Sequence, residues 1–369
     1  MKRILFYDIT SVNFRKYIPD VIDTISKIKS IDILLCYDEE DNESAEYFRS
    51  KEISTYKTKL FENNIKIIDR FKPDLIVVNA QRISDTNIIA YAKKQGIKSI
   101  MIQHGMYIPF LKRENSFFRD KILKTLKYMY YVRSIAEIVK KRKNSVFIDF
   151  FNVFVKGVNY KNTIEYHDEL NTDYVFVYGE YWKEYHSNNF GYRLDQQHVI
   201  GYHELSRIDS IISAEFEPNS ICYIAQTLVE DGRMDEPKFN EFISVLERLA
   251  KKYKVYVKLH PRSNIKLYRN KNLILLENDI PNCHFYFGHY SSLLALFAYL
   301  EGNLITWEFD NHPVPDYFTQ ISHRVFNELE LLDVLENSNG NEKNIDYYFS
   351  NVYSTKNVVD MILKFGLNS

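Results

Sequence analysis

The sequence predicts an α/β protein built from two doubly wound parallel sheets. Three observations predict it. The chain has 369 residues, enough for two domains of roughly 150 residues each. Short β-branched runs alternate with helical periods along most of its length, the pattern of parallel strands with helices on both faces. That alternation occurs twice, once before and once after a polar stretch at 205–219 that contains Pro218.

In the first half, residues 4–7, 33–37, 75–78 and 99–102 read as strands. Between them, Ile18, Val21, Ile22, Ile25 and Ile28 have helical spacing, as do Leu60, Phe61, Ile65 and Ile68, and Ile88, Ile89 and Ala92 precede a stop at Gly96. The acidic run at 38–41 reads as a solvated loop. Residues 111–143 break the alternation with eleven Lys or Arg against three acids, a net of +8, mixed with Phe117, Phe118, Leu123, Leu126, Tyr130 and Tyr131. This insertion is either a solvated helical hairpin or a surface for an anionic lipid or acceptor. Strands resume at 174–178 and 198–200, the latter closed by Gly201.

After the polar stretch, the second half reads as strands at 221–225, 255–259, 273–276, 285–287 and 304–307, with helices over 239–252 and from Ser291 or Ser292. A last helical stretch at 356–365 crosses back toward the first half. The expected domains are 1–205, carrying the insertion, and 206–349, with 350–369 packing on the first.

Composition narrows the function. Apolar residues at 45% with 29 Tyr and 25 Phe exclude a disordered chain. The 48 basic and 49 acidic side chains nearly cancel, so no nucleic-acid partner is expected. Cys36, Cys222 and Cys283 lie far apart, which fits reduced thiols in a cytoplasmic protein without disulfides. The apolar run after Met1-Lys2-Arg3 stops at Asp8, and the longest later one, 293–300, is far short of the roughly 20 residues that span a bilayer, so neither a signal peptide nor a transmembrane helix is expected. With 11 glycines, no Gly-x-Gly-x-x-Gly after the first strand and no phosphate-loop motif, dinucleotide oxidoreductases and P-loop enzymes are set aside.

Ligands of open parallel sheets bind beyond the carboxyl ends of the strands, and four groups of residues stand there. Gln103-His104-Gly105 follows the 99–102 strand; His104 is a general base for an acceptor hydroxyl or a histidine bonded within a turn. Lys258-Leu259-His260-Pro261-Arg262 ends a strand, because proline cannot continue the ladder. Its cations and imidazole suit a leaving phosphate, or cap the strand. Ser291-Ser292 follows Gly288-His289-Tyr290 and opens a helix, offering a phosphate site or an N-cap. Glu277 is placed to hold ribose hydroxyls or is an exposed acid, and Asp8, after the first strand, is a second possible base.

The pair His260-Pro261 and Ser291-Ser292 resembles the signature of bacterial sialyltransferases and polysialyltransferases of the GT-B architecture. The likeness covers about 220–310 by motif and the whole chain by architecture. It implies two Rossmann-like domains facing a cleft, inverting transfer without a metal or other cofactor, and a CMP-sugar donor whose phosphate meets His260, Ser291 and Ser292, with Glu277 on the ribose. Lys258, Pro261 and Arg262 complete the expected donor site. The implied acceptor is a cell-surface glycan of capsule or lipopolysaccharide, free or lipid-linked, at the inner face of the cell membrane, with 111–143 as a peripheral contact to anionic membrane. In the first half, the acidic pair before glycine of polysialyltransferases has no clear equivalent. Gln103-His104-Gly105 looks more like the His-Gly element of CDP-glycerol glycerophosphotransferases, which implies a polyol-phosphate transferase as the alternative; a non-catalytic nucleotide-sugar-binding partner is a further one.

Overall fold

The computed structural model describes residues 1–8, 18–37, 42–58, 65–107, 118–269, 272–300, 304–309, 313–337 and 344–367. The acidic run at 38–41, Leu60 and Phe61 of one expected helix, and the 111–117 part of the basic insertion lie outside these residues. The chain divides into two compact units, one drawn from Met1–His104, Phe118–His203 and Tyr347–Ser369, the other from Gly105–Phe117 and Glu204–Asp346.

Among the described residues the first unit holds seven strands, β1 (Lys2–Tyr7), β2 (Ile31–Tyr37), β3 (Ser54–Lys57), β4 (Leu75–Val78), β5 (Lys98–Ile102), β6 (Tyr174–Val177) and β7 (Gln197–Val199). They pair in parallel in the order β3-β2-β1-β4-β5-β6-β7. All four residues of β4 are buried, which is why its sequence is an unbroken apolar run: helices cover both faces. The helix Pro19–Ser26 starts on a proline and buries Val21, Ile22 and Ile25, since proline is pre-set for the first helical turn.

Residues 347–367 complete this unit. Tyr202 N donates to Ser350 O and Ser350 N to Tyr178 O, both at 2.8 Å, and Trp182 Nε1 donates to Tyr348 O at 2.7 Å. A Cβ on Gly179 would stand 2.6 Å from Tyr347 O, so only glycine admits the segment there. The helix Thr355–Ile362 then buries Val358, Val359 and Ile362 in the same core as Ile4, Val21 and Leu75, and the ring of Phe365 stacks on His198 with centroids 4.0 Å apart.

The second unit holds β8 (Phe216–Ile224), β9 (Lys254–Lys258), β10 (Ile274–Leu276), β11 (Asn282–Gly288), β12 (Leu304–Trp307) and β13 (His323–Val325), parallel in the order β10-β9-β8-β11-β12-β13. Its longest helix, Glu236–Leu249, is capped by Asp235, which accepts from Lys238 N at 2.8 Å, and buries Phe239, Phe242, Ile243 and Leu246.

The stretch at 205–219 is not a plain linker. It contains the helix Ile208–Ile212 and the start of β8 at Phe216. Pro218 and the left-handed Asn219 (φ 54°) interrupt β8 where its register against β11 shifts, and that irregularity hides the strand from a pattern reading. The short edge strands β3 and β13 were also missing from the expected elements. The helix expected within 111–143 is Phe118–Ile138, and a second, Lys143–Lys156, follows it. Among the described residues no helix is long and apolar enough to cross a membrane, and all three cysteines are free and buried.

Candidate functional site

Because every strand of the second sheet runs the same way, the residues that follow β8, β9, β10 and β11 share one edge. Two strand spacings of about 4.8 Å separate the end of β9, where His260 stands, from the end of β11, where the loop to Ser291 begins. His260 is exposed. Its Nδ1 accepts from Arg262 N at 3.1 Å, and its own N–H bonds to Ser263 Oγ at 3.1 Å. A ring nitrogen that accepts a backbone N–H carries no proton, so the proton of the neutral ring sits on Nε2. The turn that Pro261 starts thus fixes the tautomer and makes Nε2 the donor.

Arg262 is engaged elsewhere. Its Nη1 meets Asp231 Oδ1 at 2.9 Å and its Nη2 meets Thr227 Oγ1 at 3.2 Å, while Arg233 reaches Asp231 Oδ2 at 3.2 Å. Burial works against the charge of Asp231, but the Arg262 guanidinium and the Thr227 hydroxyl hold its carboxyl below the ordinary range. Lys258 is buried, and its ammonium donates to Glu277 O at 2.7 Å and Leu259 O at 3.1 Å. Burial, with help from Arg207, lowers its pKa. Glu277 itself lies exposed past β10, its main chain tied to β9 through Lys258.

Ser291 is the N-cap of the helix Ser292–Phe297, its Oγ accepting from Leu293 N at 3.3 Å. Gly288 lets that helix approach, since a Cβ there would stand 2.7 Å from Leu294 Cδ1. The buried His289 bridges Tyr223 Oη at 3.0 Å and Trp307 O at 3.1 Å. A carbonyl only accepts, so Nδ1 is the donor and Nε2 receives the Tyr223 hydroxyl proton. This histidine holds the loop before Ser291 in place.

In the first unit the carboxyl ends of β1 and β4 carry a buried polar cluster. Asp8 is fully buried; Asn79 Nδ2 donates to its Oδ2 at 2.7 Å and Arg82 Nη2 to its Oδ1 at 2.8 Å. Arg82 also binds Asp85 through Nε at 2.7 Å. Burial raises the pKa of Asp85 although Arg82 opposes it. Close by, the buried Lys161 donates to Gln81 Oε1 at 3.3 Å. His104 follows β5 and is exposed, whereas Gln103 is buried with its Oε1 accepting from Tyr178 N at 3.3 Å. Gly105 adopts φ +70°, a conformation open to glycine.

Asn79, Arg82, Asp85, Thr227 and Asp231 were not among the expected residues. Asn79 stands one residue past β4, so the rule that picks residues after strands finds it; Asp231 and Thr227 declare themselves only through Arg262.

No protein-family model matches the chain, and no curated protein matches its sequence. Solved structures do match in fold. The UDP-GlcNAc 2-epimerase of Methanocaldococcus jannaschii is 14% identical, with a TM-score of 0.54, over 99% of this chain and all of that one. MurG of Acinetobacter baumannii is 10% identical at a TM-score of 0.52, over 99% of this chain and 100% of its own. The wall teichoic acid polymerase TagF is 12% identical at 0.51, over 98% of this chain and 88% of its own. The chain therefore has the GT-B fold, two parallel-sheet α/β domains.

Proposed function

We propose that this protein is a glycosyltransferase that moves a CMP-activated nonulosonic acid, such as sialic acid, to a cell-surface glycan of capsule or lipopolysaccharide with inversion at the anomeric centre. The observation that carries the reading is the tautomer of His260, held with its proton on Nε2 by the Arg262 N–H. A fixed donor at the rim of β9 is suited to a phosphate that gains charge as its bond to carbon breaks. Ser291 and Ser292 add two hydroxyls at the start of a helix on the same edge. Lys258 sets the β9 rim through its bonds to Leu259 and Glu277, Pro261 starts the turn, and Glu277 receives the ribose. In the first unit His104 deprotonates the acceptor hydroxyl. Asp8, whose two oxygens are taken by Asn79 and Arg82, is the lesser candidate for that role.

A thermal-shift panel of CMP, CDP, UDP, GDP and ADP tests the donor, because a ligand that binds the folded state raises the melting temperature. Selective stabilisation by CMP supports the reading. Preference for UDP refutes the cytidine donor and directs the search to UDP-sugars, the ligand class in the names of several structures of this fold. A second reading, a polyol-phosphate transferase using CDP-glycerol, draws on Gln103-His104-Gly105; phosphorus retained in the product identifies it. Donor binding with no turnover would identify a nucleotide-sugar-binding partner instead.

A further inference from the structure

The helices Phe118–Ile138 and Lys143–Lys156 of the first unit touch through Tyr128 and Phe154, ring centroids 5.7 Å apart. Each buries one face: Tyr131 and Ile135 on the first, Val146 and Phe150 on the second. Each also carries large apolar side chains on another face. Ile122, Leu126 and Met129 recur at i, i+4 and i+7 and are 44%, 50% and 54% exposed, and Ile148, Phe151 and Val155 are 57%, 53% and 61% exposed. Apolar residues scattered singly over a surface are ordinary, but two stripes on touching helices are not.

The charge of this hairpin is the second observation. Residues 118–158 carry ten Lys or Arg against three acids, a net of +7, in a chain whose total is −1, so the remainder is at −8. Lys140 and Arg142 lie exposed in the turn between the helices. A like-charged second copy would repel this face, whereas an anionic bilayer attracts the cations and accepts the apolar stripe at headgroup depth. We propose that this helix pair docks the protein on an anionic lipid surface, lying in the interface with Leu126, Met129, Ile148, Phe151 and Val155 inserted and Lys140 and Arg142 at the lipid phosphates. The apolar part of the surface extends to Val155, beyond the basic segment that the charge run alone marks.

Flotation with phosphatidylcholine vesicles, with and without phosphatidylglycerol, tests this without donor or acceptor present. The full chain floats with the anionic vesicles, weakly with the neutral ones, and less as salt rises. Ile148→Asp with Phe151→Asp abolishes flotation with the far-ultraviolet dichroism and melting temperature retained, and Lys140→Gln with Arg142→Gln lowers the affinity by about thirtyfold. If the Asp variant melts early, Ile148→Ser with Phe151→Ser takes its place. No flotation with anionic vesicles, or equal flotation of a folded stripe variant, overturns the proposal. A lipid-independent dimer in velocity sedimentation that the stripe variant dissolves overturns it too, and assigns the face to a second copy.

Discussion

Arg262 reaches Asp231 across a 2.9 Å ion pair, so the guanidinium two residues from His260 is already matched by a carboxylate. The pair braces the loop after β8 against the turn after β9. Because Arg262 is 63% exposed, its coupling to Asp231 is expected to be at most about 1 kcal/mol. A double-mutant cycle with Arg262→Ala and Asp231→Asn, read by urea unfolding, checks this; a larger coupling would mean the pair is far better shielded than its exposure implies.

His260→Ala removes the donor at Nε2, and turnover is expected to fall by roughly 10²- to 10⁴-fold. Arg262→Ala leaves the imidazole in place and should instead act on the donor KM, by several-fold, because the backbone N–H that sets the tautomer belongs to a looser turn. Steady-state kinetics separate the two. Undiminished turnover of His260→Ala removes the histidine from the mechanism.

Ser291→Ala with Ser292→Ala deletes two hydroxyls at the start of the helix after β11. A hydrogen bond to a charged group contributes about 1.5–3 kcal/mol, so CMP affinity measured by calorimetry should drop at least about tenfold. Unchanged affinity would leave Ser291 as an N-cap alone.

Burial pushes Lys161 down to about 7, against roughly 10.4 in an unfolded chain. Between those values the unfolded chain holds a proton that the folded one lacks, so this group makes stability rise with pH through that window and is fully unfavourable below it. Lys161→Met should therefore melt above the wild type at pH 7, with the gap narrowing toward pH 10. Calorimetry at the two pH values measures it, and a gap that does not narrow contradicts the burial of an uncharged amine.

Gly179→Ala places a Cβ 2.6 Å from Tyr347 O, a main-chain atom that cannot swing aside. The cost of such overpacking is about 1–3 kcal/mol, visible as a lower urea midpoint, and limited proteolysis should then cut first near residue 347.

The central strands were legible because both their faces are covered: Leu75–Val78 and Leu304–Trp307 are buried throughout, the first wholly apolar and the second broken only by Thr306, whose hydroxyl meets Ser322 Oγ. Rim residues such as His260 and Ser291 were legible because a proline or a serine pair marks where an apolar run stops. The Asp8–Asn79–Arg82 cluster was not. Its members meet because β1 pairs with β4, a neighbour relation that local periodicity does not carry. The turn hydrogen bond that sets the His260 tautomer is likewise a matter of three-dimensional geometry, and the bulge at Pro218 disguised the start of β8.

Residues 347–367 fill the first core beside Ile4 and Val21, yet they leave the ribosome only after the whole second sheet has been made. During synthesis the later unit can therefore finish folding while the earlier one still lacks Val358, Val359 and Ile362 from its core. For that interval the nascent first sheet is the part of the chain that a chaperone has reason to hold.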